Sequence, residues 1–211
     1  VRIAVCNVGL GNLRSVERAL DRAARESHRA VTVEVTAEPD RVRSADKVVV
    51  PGQGSFGGCA RALHQGLGQA VRERIAWGAP YLGVCLGLQV LFQTSEEAPG
   101  CAGLGIIEGS VVRLRGGVDE ASGAPLKIPH MGWNVVEPAG PRGLLPREPT
   151  HFYFVHGFAV VPREPSVIAG TTEYGHTFVS AVSRGNVFAC QFHPEKSQRA
   201  GLSLLQRFVE I

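Results

Sequence analysis

The first half of the chain carries two rhythms of apolar and polar positions. Arg2 to Val8 is a short apolar run, read as a strand. A break at Gly9-Leu10-Gly11-Asn12 follows. Leu13, Val16, Leu20 and Ala23/Ala24 then recur at helical spacing. Val31 to Val35 returns to a two-residue alternation with one polar side, and Lys47 to Val50 reads as a short apolar strand, as expected where both faces of a sheet are covered. That strand ends at the turn Pro51-Gly52-Gln53-Gly54, and Ser55 suits a helix cap. Phe56, Ala60, Leu63, Leu67 and Val71 share the next helical face. Pro80-Tyr81-Leu82 closes another apolar strand, and Leu86 to Gln93 reads as a short apolar helix. Strand, helix, strand, short link, strand, helix, strand, helix predicts an α/β fold: a mostly parallel central sheet with helices on both faces.

After about Ser95 the rhythm changes. Ile106 to Leu114, Trp133 to Val136, Phe152 to Val155, Phe158 to Val161, Val167 to Thr172 and Phe178 to Ser183 are short strand-like runs separated by Gly and Pro. They predict a smaller antiparallel or mixed sheet attached to the α/β core. Gly116 to Pro125 reads as a mobile surface loop. Val187 to Phe192 is a further strand, and Ser197 to Ile211 a closing helix with Leu202, Leu205, Phe208 and Val209 facing inward. No internal repeat or low-complexity segment breaks the chain, so residues 1–211 are expected to form one domain.

Composition narrows the function classes. With 44% hydrophobic and 19% charged residues in 211, the chain has the make-up of a globular protein with a full core. Its net charge is only +3, and no basic tract interleaves with aromatics, so no nucleic-acid partner is expected. No apolar run reaches membrane-spanning length, and no secretory leader is read at the start. The cysteines, Cys6, Cys59, Cys85, Cys101 and Cys190, are odd in number and irregular in spacing, which suits reduced thiols in the cytoplasm better than disulfides.

One of those cysteines has a chemical context. Gly83-Val84-Cys85-Leu86-Gly87 is the nucleophile-elbow pattern with cysteine at its centre, between a strand and a helix. Such a turn exposes the side chain at a sheet edge, and a helix starting just after it points free N–H groups and positive dipole at the sulfur, favouring the reactive thiolate. His193-Pro194-Glu195 ends the last strand. In extended chain these two side chains lie on one side, so Glu195 can hold one ring nitrogen and leave the other as a base. Both motifs sit at strand C-termini, where open α/β sheets place their sites. Oxyanion donors are expected from the N–H of Leu86 and from the Gly52-Gln53-Gly54 turn. Other chemistry finds little support. Cys190-x-x-His193 lacks a second pair of metal ligands, and on the strand Cys190 shares a face with Phe188 and Phe192, away from His193. His130, His151, His156 and His176 have no ligand spacing, and Gly9-Leu10-Gly11 lacks the third glycine of a dinucleotide loop. No metal and no cofactor are expected.

With G-x-C-x-G, P-G-Q-G and H-P-E in this order, the chain resembles the class I (triad) glutamine amidotransferases over nearly its whole length. Lys127-Ile128-Pro129-His130-Met131-Gly132-Trp133-Asn134, Phe152-Tyr153-Phe154-Val155-His156 and the N-terminal G-L-G-N-L look like the glutaminase subunits of imidazole glycerol phosphate synthase. The resemblance implies that Cys85 attacks the side-chain amide of glutamine, with His193 and Glu195 completing a triad. It implies an oxyanion hole from Leu86 and the Gly52/Gln53 turn, and substrate contacts from Gly54, Gln89 and His156. It also implies a (β/α)8-barrel cyclase subunit as heterodimeric partner, receiving ammonia and making imidazole glycerol phosphate and AICAR in histidine biosynthesis. Asn12, Met131, Trp133 and Lys196 match positions towards that partner. Two departures stand out: Asn7-Val8 where the family has Asp-Tyr, and Gly157-Phe158 where it has Ser-Tyr. The second removes hydroxyls near the expected glutamine site. The competing readings are a free-standing γ-glutamyl hydrolase or cysteine peptidase on the same fold, and a non-catalytic redox-sensing binding protein. The H-P-E pair counts against the last, since a sensor needs no positioned base.

Overall fold

A computed structural model of the chain describes residues 1–9, 12–118 and 123–211. The elements in order are β1 (Arg2–Cys6), α1 (Leu13–Glu26), β2 (Thr32–Thr36), α2 (Pro39–Arg43), β3 (Lys47–Val50), α3 (Phe56–Ala62), α4 (Gly68–Ala76), β4 (Tyr81–Val84), α5 (Leu86–Gln89) and β5 (Thr94–Ser95). There follow β6 (Gly109–Arg113), β7 (His130–Pro138), β8 (Thr150–His156), β9 (Phe158–Pro162), β10 (Ile168–Glu173), β11 (Thr177–Arg184), β12 (Val187–Cys190) and α6 (Gln198–Glu210). Among the described residues the main sheet runs β2-β1-β3-β4-β12-β11-β10-β7-β8. Its first part, as far as β12, is parallel. From β12 onward the pairs are antiparallel. The second sheet expected from the sequence is therefore continuous with the first, and β12 is the joint: parallel to β4 on one side, antiparallel to β11 on the other.

Two-residue periodicity decides which layer each strand residue joins. Val48 and Val50 pack with Phe56, Leu63, Leu67 and Val71 beneath one face. Val49 packs on the opposite face with Val16, Leu20, Leu204 and Phe208 from α1 and α6. Every residue of β3, β4 and β12 is buried, as strands covered on both sides must be. Burial of Lys47 in β3 is the exception in kind. Its Nζ donates to the carbonyls of Phe208 (2.8 Å) and Val209 (2.7 Å) in the last turn of α6. Those carbonyls have no partner within the helix. Desolvation, aided by the charge of Arg29, lowers the lysine's pKa.

Several expectations change. The short link is the helix α2. The helix through Phe56 and Val71 is broken between α3 and α4 by a wide turn, Leu63–Leu67, in which Gly66 takes φ +106°. The helix expected to reach Gln93 is one turn, because the carbonyls of Val90, Leu91 and Gln93 accept from Leu104, Ile107 and Gly103 instead of from the next helical turn. In α6 the buried stripe is Gly201, Leu204, Leu205, Phe208 and Val209, with Leu202 only half-buried. The loop expectation for Gly116 to Pro125 falls partly on residues 119–122, outside the described residues; Val118 and Pro125 on either side form an antiparallel bridge.

The elbow is packed against β3 without room for a methyl group. A Cβ on Gly87 would stand 1.8 Å from the carbonyl oxygen of Val50. Gly87→Ala is expected to cost roughly 3 kcal/mol or more of stability, since backbone on both sides must move. Urea unfolding of the variant checks this; an unchanged midpoint would contradict so close an approach.

Candidate active site

Cys85 lies at the junction of β4 and α5 with φ 55° and ψ −103°, a left-handed conformation that costs a non-glycine residue roughly 1–3 kcal/mol. Its N–H donates to Cys190 O (2.8 Å), which fixes the elbow to β12. Its carbonyl accepts from Leu88 and Gln89 (3.0 and 3.2 Å), so the turn's own bonds do not use the N–H of Leu86. With only four residues, α5 has little macrodipole; what it offers the sulfur is nearby N–H groups. The Pro51–Gly54 turn lies directly behind. A Cβ on Gly52 would sit 2.6 Å from the Cβ of Leu86, so the two expected oxyanion elements are in contact.

His193 follows β12 in extended conformation, and Pro194–Lys196 then form a single 3-10 turn. The sequence argument placed His193 and Glu195 on one side of an extended segment. The structure brings them together through that turn, with Nδ1 of His193 2.8 Å from Oε1 of Glu195. Both side chains are almost completely buried. The His193 main chain is clamped: its N–H donates to Tyr153 O (2.9 Å), and Ser197 Oγ donates to its carbonyl (2.7 Å) while accepting from Tyr153 N (2.9 Å). His193 Nε2 is buried and forms no hydrogen bond of normal geometry, yet the Cys85 sulfur is near enough to act on the ring. Burial lowers the pKa of His193, whereas Cys85 and Glu195 raise it, and the balance is a rise to about 9.

Cys85 opens onto a cavity of about 350 Å³ that Gln53, Gly54, Leu86, Gln89, His156 and Lys196 also line. Gly52, Asn12, His193 and Glu195 border a small crevice on the other side of Gln53. Asn12 has a structural task as well, capping α1 through the N–H of Ser15 (3.2 Å). Met131 and Trp133 line neither space. They stand on β7, 62% and 46% exposed. A larger hollow of about 1030 Å³ lies over β6, β9 and β11 and contains none of these residues. Among the described residues no group of three or more His, Cys, Asp or Glu side chains could hold a metal.

Both departures from the family pattern have local explanations. Asn7 accepts from Gly9 N (2.9 Å) and so closes the turn after β1, while Val8 is buried in the core. At Gly157-Phe158 the polar work falls to the main chain. Phe158 O accepts from His156 Nδ1 (2.8 Å) and, at 3.5 Å, from Gln89 Nε2. His156 continues to His130, its Nε2 3.0 Å from His130 Nδ1. Burial, reinforced by neighbouring histidines, pushes His156 down to about 3 despite its bond to Phe158, and burial puts His130 at about 4, so both are neutral at physiological pH.

The sequence reading missed Gln191. It is fully buried, accepts from Gln89 Nε2 (3.0 Å), and its own Nε2 lies 3.5 Å from Cys85 Sγ. The signal was present: Gln191 precedes His193 by two positions in extended chain and so shares its side.

A family model described as glutamine amidotransferase class-I matches residues 10–211. The chain is 47% identical to the imidazole glycerol phosphate synthase subunit HisH of Moorella thermoacetica, covering 99% of this chain and 94% of that one. It is 48% identical to the subunit of the same name from Nitrosomonas europaea, covering 99% and 97%. Among solved structures, PurLQS from Thermotoga maritima superposes with a TM-score of 0.72 at 17% identity, covering 99% and 97%, and a crystal structure of a glutamine amidotransferase gives 0.70 at 21%, covering 99% of each. At those identities the structures speak for the fold alone.

The His193 value gives a pH test. It lies above the ordinary 6.5, so the protonated ring stabilises the fold fully below about 6.5, and that contribution is lost as pH rises through about 9. Glu195→Gln removes one of the two raising partners. Its imidazole titration, followed by NMR, is expected about one unit or more lower than in the parent. An unchanged titration would mean that Glu195 does not support the ring's charge.

Proposed function

This chain belongs to the class I glutamine amidotransferases and, within them, to the HisH subunits of imidazole glycerol phosphate synthase, and on that premise we propose how its residues carry out glutamine hydrolysis. Cys85 Sγ attacks the side-chain carbonyl carbon of glutamine. The resulting oxyanion is held by the N–H groups of Leu86 and the Gly52/Gln53 turn. The C–N bond breaks as His193 gives its proton to the departing nitrogen, leaving ammonia and a γ-glutamyl thioester. With the sulfur acylated, one partner that raised the pKa of His193 is gone, so the ring, having given up its proton, stays neutral and free to act as a base. It takes a proton from water, which attacks the thioester. Glutamate leaves and the thiolate returns. Gln89, Gly54 and His156 hold the substrate in the cavity beside Cys85. Residues 1–211 work as one domain in the cytoplasm.

The observation carrying this reading is the buried pair of His193 and Glu195, its second ring nitrogen bare, beside a cysteine held at left-handed φ. The ammonia passes to a (β/α)8-barrel cyclase subunit, which makes imidazole glycerol phosphate and AICAR for histidine biosynthesis. Asn12, Met131, Trp133 and Lys196 face that partner. The exposure of Met131 and Trp133 on β7 favours a docked subunit over a free-standing hydrolase or peptidase. Among the described residues no helix is long and apolar enough to cross a membrane.

Cys85→Ala is expected to lower glutamine hydrolysis at least about a thousandfold. Product formation from added ammonium, measured with the cyclase partner present, should survive. Parental hydrolysis by the variant would rule out a cysteinyl intermediate.

A further inference from the structure

We infer that Gln191 is a positioning residue for the nucleophile, its side-chain N–H donating to Cys85 Sγ so as to aim the sulfur and hold its negative charge. The inference rests on Cys85 being the nucleophile and deepens that reading. Which end of the Gln191 amide faces the sulfur follows from its neighbours. Phe158 O can only accept. The Gln89 atom beside it, 3.5 Å away, is therefore the amide nitrogen. That nitrogen is 3.0 Å from Gln191, which must answer with its oxygen. The Gln191 nitrogen is then left facing Sγ at 3.5 Å. Flipping either amide would set oxygen against oxygen or nitrogen against nitrogen.

The remaining bonds reach the same acceptor from the other side. Neutral His156 donates from Nδ1 to Phe158 O, so its Nε2 accepts from His130 Nδ1, and His130 Nε2 accepts from Asn134 Nδ2 (3.4 Å). Two runs of hydrogen bonds thus meet at Phe158 O, one coming from β7 through the histidines and one from Gln89, and a buried network of this kind resists reorientation. Gln191 is itself fixed by its N–H, which donates to Ser180 O (2.8 Å). A neutral donor suits this position. It stabilises a thiolate without adding a proton that could compete with His193.

The test is alkylation of Cys85 by iodoacetamide across pH 5 to 10, read by mass spectrometry, beside kcat and KM for glutamine. In Gln191→Met the pH of half-maximal alkylation is expected to rise by about one unit, slowing reaction at neutral pH roughly tenfold. The loss should fall on kcat more than on KM. Gln191→Glu keeps the shape and the bond from Gln89 but sets a carboxyl group against the sulfur, where two negative charges disfavour each other, so thiolate and carboxylate form together only at higher pH and the profile should move further. It carries the test if the methionine variant does not fold. Profiles coinciding with the parent's in the folded variants overturn the inference, even if activity falls, because a purely structural residue would leave the sulfur's reactivity alone. If the parent's own Cys85 resists alkylation throughout, the nucleophile assignment fails, and this inference with it.

Discussion

The backbone at Cys85 is the constraint on which the site is built. An L-residue at φ 55° is costly, so the surroundings must make relaxation costlier still. They do so by crowding. Gly87 lies against the carbonyl of Val50, and Gly52 lies against the side chain of Leu86, so β3, the Pro51–Gly54 turn and α5 leave the elbow no space in which to unwind. The hydrogen bond from Cys85 N to Cys190 O ties the same residue to β12 on the other side. The sulfur's position is thus a property of three neighbouring strands and not of the elbow alone.

The partner residues reach that sulfur by a different route. β12 is where the sheet passes from parallel to antiparallel, and the chain leaving it carries Gln191, His193 and Glu195 within five positions. The parallel half supplies the nucleophile and the expected oxyanion donors. The antiparallel half supplies Tyr153, which braces His193, and Phe158, which braces Gln89. Electrostatics follows the same division. Ring nitrogens next to carboxylate and sulfur are held protonated, as at His193, whereas those enclosed by aromatic walls, such as His130 between Phe154 and Tyr174, are held neutral.

Much of this was legible in the chain because it is governed by periodicity. The apolar run of β3 marked a strand covered on both faces, and Gly-x-Cys-x-Gly marked the strand-to-helix junction. What stayed hidden depends on contacts from distant segments. The helix after Cys85 stops early because Gly103, Leu104 and Ile107 claim its carbonyls, and no local propensity records that. The break at Gly66 was masked by an apolar stripe that continues in phase on both sides of it. Leu204 was passed over for Leu202, a choice within one helical turn that packing against α1 decides. The His130–His156 link could not be read, since it depends on the register of two neighbouring antiparallel strands, in which these residues stand opposite each other.

The lysine in β3 has a consequence for how the molecule comes apart. A helix at the end of a chain ordinarily frays in its final turn at little expense. Here Phe208 and Val209 give their carbonyls to the ammonium group of a buried lysine, so loosening that turn would break both of its hydrogen bonds. The end of the chain is therefore coupled to the middle of the sheet through this one side chain.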